Sequence, residues 1–223
     1  MKSYFSVKTF IIIISIIIVG PILFFPKHFS PKQTVLNQPV LNQPPIVESS
    51  LPPVINPPQL TLPLNDALAR VTKKPFGIYI TPKNSPVSPE KFTGYHTGVD
   101  FEIKPGEENE DIAVSAVCSG KLLIKKSASG YGGAVVELCE LNNQAVTIIY
   151  GHLKLSSISL LVGQEIAAGQ TLGILGKGYS SETDGERKHL HLGIHQGTAI
   201  NLLGYVQDKK LLDGWLNALD YIK

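Results

Sequence analysis

Apolar and polar positions divide the chain into three stretches that differ in pattern. In the first, residues 10–25 are apolar apart from Ser15, and Lys2 and Lys8 precede them. Such a run is about 24 Å long as a helix, slightly shorter than a ~30 Å hydrocarbon core. Positive charge before the run keeps the N-terminus cytoplasmic. We therefore predict a transmembrane signal anchor over residues 1–25, with a cleaved signal peptide as the alternative.

The second stretch is rich in proline. Residues 26–63 contain ten prolines and three charged residues, and a five-residue motif repeats at 35–39 and 40–44. Because proline fixes φ and lacks an N–H, this composition excludes a helix or the interior of a sheet. We predict a disordered, semi-extended linker over residues 26–64, with a reach of roughly 100 Å.

The third stretch has the pattern of a β protein. From Asn65 onwards, short runs of Val, Ile and Leu are separated by Gly or Asn turns such as Asn142-Asn143,. Helices and strands do not alternate, which favours a mainly β, compact antiparallel domain over residues 65–223. The predicted strands are 76–80, 98–103, 121–126, 134–138, 145–150, 171–175 and 189–195. Short helices are predicted at 66–73 and 211–221.

Charge and cysteine content narrow the possibilities. The net charge is +2, and residues 66–223 carry sixteen Lys or Arg against seventeen Asp or Glu. This balance gives no support for a nucleic-acid partner. The two cysteines, Cys118 and Cys139, lack the close pairing of a Cys-based zinc site,. If the domain lies outside the membrane, a disulfide between them is expected; two buried free thiols are the alternative.

The histidines fall into short patterns in the third stretch. The patterns are His96-Thr-Gly-Val-Asp100, Tyr150-Gly-His152-Leu and His189-Leu-His191. Residues two apart on a strand point to the same face, so His189 and His191 project together. A turn around Gly98 brings His96 and Asp100 to one point.

This residue set suits metal-assisted hydrolysis. A catalytic zinc takes three protein ligands from His, Asp or Glu and leaves a position for water, whose pKa the metal lowers. Imidazoles beside the metal hydrogen-bond the water or the developing oxyanion and relay protons near neutral pH. Two His and one Asp as ligands, with two further His as catalytic groups, satisfy this requirement.

Taken in order, the patterns resemble the LytM-type (lysostaphin-like) zinc metallopeptidases of family M23. The resemblance extends roughly over residues 76–195, and its further elements are 94–101, 119–122, 131–133 and 162–173. It implies that His96, Asp100 and His191 bind one zinc ion per chain. It also implies that His152 and His189 are the catalytic pair that orients water and steadies the tetrahedral intermediate.

The resemblance carries a fold and an activity with it. It implies a barrel-like β core whose groove is flanked by the loops 127–133 and 177–188. Members of the family cleave peptidoglycan cross-links or stem peptides, so a zinc endopeptidase for cell-wall remodelling is expected. With the anchor, this would be a single-pass protein of a bacterial membrane whose C-terminal domain is extracytoplasmic. The bond cleaved, the oligomeric state and any regulatory protein partner stay open.

The chain departs from the family pattern at three places. Residues 184–188, Asp-Gly-Glu-Arg-Lys, stand where the family commonly has Gly-Pro or Ser-Pro directly before His-x-His. The segment 105–111 is longer and more acidic than the usual turn, and His-Leu-Gly-Ile replaces the commoner His-Phe-Glu. None of these changes removes a predicted ligand or catalytic His, so they bear on substrate preference.

Two other classes of function compete with the enzyme. M23-like domains also occur as non-catalytic scaffolds or activators of other cell-wall hydrolases, but such members typically lose a ligand or a catalytic His. Residues 162–176 resemble the turn pattern of lipoyl or biotinyl carrier domains, yet no hairpin Lys suitable for modification is present. His28 is assigned to the linker, and His195, which shares a strand face with His191, is predicted to be peripheral.

Overall fold

The computed structural model describes residues 60–223. The predicted anchor over residues 1–25 and nearly all of the predicted linker, including His28, lie outside the described residues. Leu60 and Leu64, at the end of the predicted linker, are buried in the core, and Leu60 forms a bridge with Ile222. Within this described part, no helix has the length and apolar character needed to span a membrane.

Residues 60–223 form twelve strands joined by loops and short 3₁₀ helices. The strands are β1 (Tyr79–Ile80), β2 (Gly94–His96), β3 (Gly98–Glu102), β4 (Ala113–Ser115), β5 (Gly120–Ala128), β6 (Gly132–Leu141), β7 (Gln144–Gly151), β8 (Glu165–Ile166), β9 (Thr171–Ile174), β10 (His189–Gln196), β11 (Tyr205–Val206) and β12 (Trp215–Leu216). The 3₁₀ helices are Ala67–Arg70, Leu155–Ser157, Ser181–Thr183, Lys209–Gly214 and Ala218–Asp220. The prediction of a mainly β, antiparallel fold is confirmed.

A seven-stranded sheet forms the centre of the domain. Its order is β12-β10-β7-β6-β5-β8, and β3 also pairs with β10. Strands β1, β2 and β11 form a second sheet, and β4 and β9 form a third. The hairpin between β6 and β7 turns at Asn142 and Asn143, both with positive φ, as a two-residue turn of that twist requires,.

Both faces of β6 are covered, which explains why this strand is a nearly continuous apolar run in the sequence. On β6, Val135 and Cys139 face the main core, whereas Ala134 and Val136 face a smaller cluster with Trp215. Burial on both sides removes the alternation of apolar and polar residues expected of a half-exposed strand. Strand β6 therefore remains largely buried along its whole length, 132–141.

The predicted C-terminal helix over 211–221 is wrong. That segment contains the 3₁₀ helix Lys209–Gly214, then β12, then the 3₁₀ helix Ala218–Asp220. Trp215 and Leu216 pair with β10 and extend the central sheet, so tertiary pairing outweighs local helix propensity,. The predicted helix over 66–73 is likewise reduced to one 3₁₀ turn, Ala67–Arg70.

The predicted disulfide is confirmed. Cys118, just before β5, is bonded to Cys139 on β6; their Cα atoms are 6.3 Å apart and the two residues are 21 positions apart in sequence. On the chain-entropy model, closing a loop of this size stabilises the fold by about 3 kcal/mol. The bond fastens the start of β5 to the middle of the sheet.

Candidate metal centre

Strand register brings the chemistry-bearing residues together. On β10, His191 lies opposite Asp100 of β3 on one side and opposite Gly151 of β7 on the other. His152 directly follows Gly151, and His189 lies two residues before His191 on the same strand face,. The five predicted site residues therefore converge on one place in the sheet.

Three of these residues form a compact triangle of donor atoms. His96 Nε2 and His191 Nδ1 are 3.0 Å apart, and each lies 3.2 Å from Asp100 Oδ1. Ligands held about 2.0–2.1 Å from a tetrahedral zinc ion are separated from each other by roughly 3.3 Å. The buried His-Asp-His set thus has the donor types and the spacing that a zinc ion requires.

The outer ring nitrogens of both histidines in the triangle are also engaged. His96 Nδ1 lies 3.2 Å from the carbonyl oxygen of Pro75, and its N–H donates to that oxygen. His191 Nε2 lies 3.4 Å from the hydroxyl of Tyr131. With these partners, the geometry directs Nε2 of His96 and Nδ1 of His191 to the centre, the arrangement that orients metal-binding imidazoles.

Gly98 makes room for this triangle. A Cβ at that position would lie 2.6 Å from His191 Nε2 and 2.7 Å from the carbonyl oxygen of Leu192. Neither a ring held in the cluster nor a strand backbone can retreat that far. The close approach of β3 to β10, and with it the position of Asp100, therefore depends on a glycine here.

His152 and His189 lie beside the triangle. Their ring centroids are 4.2 Å apart. The Nδ1–H of His189 donates to the carbonyl oxygen of Arg187 at 2.9 Å, and its Nε2 lies 3.3 Å from Asp100 Oδ2. His152 has a positive φ of 64°, uncommon for this residue type, and its buried Nδ1 has no protein partner within residues 60–223,.

Burial and neighbouring charges shift the pKa values of the site residues in the cluster. Burial lowers the pKa of His191 to about 4, and burial together with His189 lowers the pKa of His152 well below its ordinary value. Burial alone would raise the pKa of Asp100, but the imidazoles of His189 and His96 outweigh it and hold that pKa well below its ordinary value. The centre thus combines an ionised carboxylate with the neutral imidazoles of His152 and His191,.

The sequence did not reveal the partner of Asp100. Arg187 Nη2 donates to Asp100 Oδ2 at 2.8 Å, and Arg187 Nε donates to both oxygens of Glu102 at 3.1 and 2.9 Å. All three side chains are nearly buried. Arg187 belongs to the segment 184–188, where the sequence departs from the family pattern. Nothing in the sequence indicates that this segment contacts Asp100.

Tyr205 is a second residue that sequence reasoning missed. Its ring stacks on His96 at a centroid distance of 5.1 Å, and its hydroxyl accepts a hydrogen bond from Lys74 Nζ at 3.1 Å. Lys74 in turn forms a buried ion pair with Glu90 at 2.5 Å. Burial is the main cause that raises the pKa of Tyr205. Tyr205 lies about a hundred residues from His96, and no local sequence signal points to it.

A groove of about 270 Å³ opens beside His152 and His191. Part of the predicted loop 127–133 lines it through Ser129–Tyr131, and Tyr205 lines it from the other side. A small recess next to the groove is lined by Glu186 and Arg187 of the predicted loop 177–188. A larger cavity, of about 700 Å³, meets the cluster at the Arg187–Glu102 pair.

The two loops are also joined to each other. The backbone N–H of Gly130 donates to Asp184 Oδ2 at 2.7 Å. Gly132 has a positive φ of 63°, and a Cβ there would lie 2.2 Å from the carbonyl oxygen of Glu182. The backbones of the loops 127–133 and 177–188 are therefore in direct contact.

His195 takes no part in these contacts. Its ring packs edge-on against Trp215 at a centroid distance of 4.9 Å and is partly exposed. Burial lowers its pKa. It points towards the β12 edge of the sheet, where it has a packing role.

Comparisons with known proteins agree with this geometry. The sequence model of peptidase family M23 matches residues 94–202, a segment that contains His96, Asp100, His152, His189 and His191. A search of the curated protein sequences returned no match to this chain.

A search of the solved structures found several similar chains. The catalytic domain of the antimicrobial peptidase lysostaphin from Staphylococcus simulans is 21% identical, with 69% of this chain and 93% of that chain covered and a TM-score of 0.46. LytU is 22% identical, with 68% and 90% covered and a TM-score of 0.44. Csd3 from Helicobacter pylori is 23% identical with a TM-score of 0.43; 68% of this chain is covered, but only 36% of Csd3. The predicted resemblance to peptidase family M23 is thus confirmed over residues 94–202.

Proposed function

We propose that this chain is a zinc-dependent endopeptidase that hydrolyses peptide bonds in peptidoglycan, in its cross-links or stem peptides. One observation carries the proposal: His96, Asp100 and His191 present three donor atoms 3.0–3.2 Å apart, directly beside the imidazoles of His152 and His189. A structural zinc site uses four protein ligands, whereas a hydrolytic site keeps one position for water. Three ligands beside a groove fit the second kind.

The proposed chemistry divides the work between metal and protein. A bound zinc ion supplies Lewis acidity and lowers the pKa of water. His189 is held by the bond from its Nδ1–H to the Arg187 carbonyl oxygen, which leaves Nε2 facing the centre. The imidazole of His152, beside that of His189, would accept a proton from the attacking water and return it to the leaving amine,. The two imidazoles lie close enough to act on one tetrahedral centre.

The proposal includes a location. Residues 1–25 act as a membrane anchor, the residues from 26 to 59 as a spacer, and the domain, which begins with the buried Leu60, works outside the bacterial cytoplasmic membrane. The apolar run after Lys2 and Lys8 supports the anchor,. The Cys118–Cys139 disulfide supports an oxidising compartment,. A spacer with this reach lets an anchored domain contact the cell wall.

The test compares the full-length chain with two histidine variants of the same strand. His191→Ala removes one ligand, and His195→Ala removes an imidazole of β10 that packs on Trp215 instead. Zinc per chain is measured by elemental analysis, and muropeptide release is measured on purified peptidoglycan. Wild type and His195→Ala are expected to hold about one zinc and to release muropeptides, and His191→Ala is expected to do neither.

Other outcomes count against the proposal. A folded wild type that holds no zinc would overturn the metal centre. A wild type that holds zinc but cleaves no peptidoglycan of several cross-link types would replace the enzyme with a non-catalytic scaffold. Hydrolysis that survives in His191→Ala would remove the proposed ligand from the mechanism.

A further inference from the structure

The two oxygens of Asp100 have different surroundings. Oδ1 faces His96 Nε2 and His191 Nδ1, each at 3.2 Å. Oδ2 instead accepts a hydrogen bond from Arg187 Nη2 at 2.8 Å and lies 3.3 Å from His189 Nε2. Oδ1 therefore faces the centre of the triangle, whereas Oδ2 is hydrogen-bonded to a residue outside the triangle.

Arg187 is itself held in place. Its Nε donates to both oxygens of Glu102, and its Nη2 donates to one of them as well as to Asp100. Asp100 and Glu102 are two residues apart on β3, so their side chains lie on the same face, within reach of one planar guanidinium,. The arrangement fixes the plane of the guanidinium and therefore the direction of the donor that reaches Asp100.

The charges around Arg187 argue against a role in binding substrate. Two carboxylates already contact the guanidinium, and its side chain is only 10% exposed. An anionic group of a peptide would gain little from a cation that is already paired. Its contact with the metal centre is the hydrogen bond that it donates to Asp100.

We propose that Arg187 is a positioning residue: it occupies Oδ2 of Asp100, so that only Oδ1 is presented to the metal. The inference rests on the zinc site proposed above and assigns a role to the segment 184–188, where this chain departs from the usual family sequence. Without Arg187, the carboxylate can rotate or bind the metal through both oxygens. Loss of such a supporting contact weakens metal binding by roughly 10–100-fold.

The chain contains a matched control. Arg70 is also a buried arginine that pairs through two bonds with one glutamate, Glu107, at 2.6 and 2.9 Å. Its other hydrogen bonds go to the carbonyl oxygens of Asn65 and Glu102, and within residues 60–223 none goes to the side chains of Asp100 or Glu102 or to His96 or His191. Arg70→Met therefore removes an equivalent ion pair without touching the metal centre, and separates general destabilisation from an effect on the ligand.

The experiment measures metal binding by full-length wild type, Arg187→Met, Arg187→Lys and Arg70→Met. The zinc dissociation constant is obtained by competition with a chelator, and the visible absorption of the Co²⁺-substituted protein reports the coordination of the metal. Arg187→Met is expected to bind zinc roughly 10–100-fold more weakly and to shift the Co²⁺ bands. Arg187→Lys, which keeps one donor for Asp100, is expected to lie between Arg187→Met and wild type; Arg70→Met is expected to match wild type within about twofold.

Three results would overturn the inference in different ways. If Arg187→Lys, or Arg187→Met where it folds, binds zinc like wild type with an unchanged Co²⁺ spectrum, Arg187 is only a structural ion-pair partner and the zinc site stands. If Arg70→Met weakens zinc binding as much as Arg187→Met, the effect is general destabilisation. A wild type that binds neither metal would overturn the zinc site itself, together with the role of Arg187.

Discussion

Two regions of the core each enclose a buried carboxyl group, and the two groups differ in the number and charge of their partners. Around Asp100, a guanidinium and three imidazoles contact the two oxygens. Around Glu137, on β6, one oxygen accepts a hydrogen bond from the Tyr150 hydroxyl at 2.7 Å, and the other has no protein partner within residues 60–223. Both side chains are almost completely inaccessible to solvent.

The two environments shift the pKa values of Glu137 and Asp100 in opposite directions. Burial raises the pKa of Glu137 to about 7, and the Tyr150 hydroxyl offsets this only in part. At Asp100 the neighbouring imidazoles outweigh burial and the pKa lies well below its ordinary value. Burial therefore does not decide whether a carboxyl is charged; the number and charge of its partners decide it. A perturbed pKa by itself would point to Glu137, whereas the convergence of ligands points to Asp100.

The largest expected effect comes from neutralising Asp100. Asp100→Asn keeps the shape but replaces an anionic ligand by a weak one, so bound zinc should be lost and hydrolysis should fall by at least about 1,000-fold. Elemental analysis and muropeptide release measure the two effects. The same change at Glu137, Glu137→Gln, should leave both within about twofold; equal losses in the two variants would contradict the division of roles.

A smaller effect is expected on the pH dependence of stability. Between about pH 4.5 and 7, Glu137 is protonated in the folded chain and ionised in the unfolded chain, so the free energy of unfolding falls as pH rises through this window,. At about 1.4 kcal/mol per pH unit, the loss reaches up to about 3 kcal/mol. Denaturant unfolding of wild type and Glu137→Gln at pH 5, 6, 7 and 8, with a chelator present, should show this loss only in wild type. Parallel curves for the two proteins would show that Glu137 is not protonated in the fold.

The smallest effect is expected at the exposed edge of the Asp100 region. Lys73 is 43% exposed and lies 3.5 Å from Glu102, in addition to the contacts that Glu102 makes with Arg187. Because exposed ion pairs contribute about 0–1 kcal/mol, Lys73→Met should change the free energy of unfolding by less than about 1 kcal/mol and the zinc dissociation constant by less than about twofold. Chelator competition and denaturant unfolding test this. A tenfold weaker zinc affinity would show that Glu102 needs Lys73 as well as Arg187.

The central strands could be predicted because their apolar runs are bounded by glycine or asparagine turns. Thus β6, predicted at 134–138, was located but is longer, since burial on both faces lets it extend to Gly132–Leu141. The C-terminal segment could not be predicted, because its conformation depends on the pairing of Trp215 and Leu216 with β10. Nothing local in the sequence encodes that pairing, so the local helix signal was misleading.

The same distinction applies to the candidate site. The set of His96, Asp100, His152, His189 and His191 was identified because its members stand at short, regular spacings that a strand period can interpret. The roles of these residues stay predictions. Arg187 was visible only as a departure in the sequence, and Tyr205 was not visible at all. Both reach the centre through tertiary contacts, at Asp100 and His96 respectively.

Gly130 and Gly132 contact the segment 182–184 at two points. These contacts hold the groove wall that includes residues 129–131 in place. A wall fastened to its neighbour at two points does not swing aside to admit a bulky peptide. For the endopeptidase proposed above, substrates would then be discriminated by their cross-section on entering the groove, rather than by closure of a lid after binding.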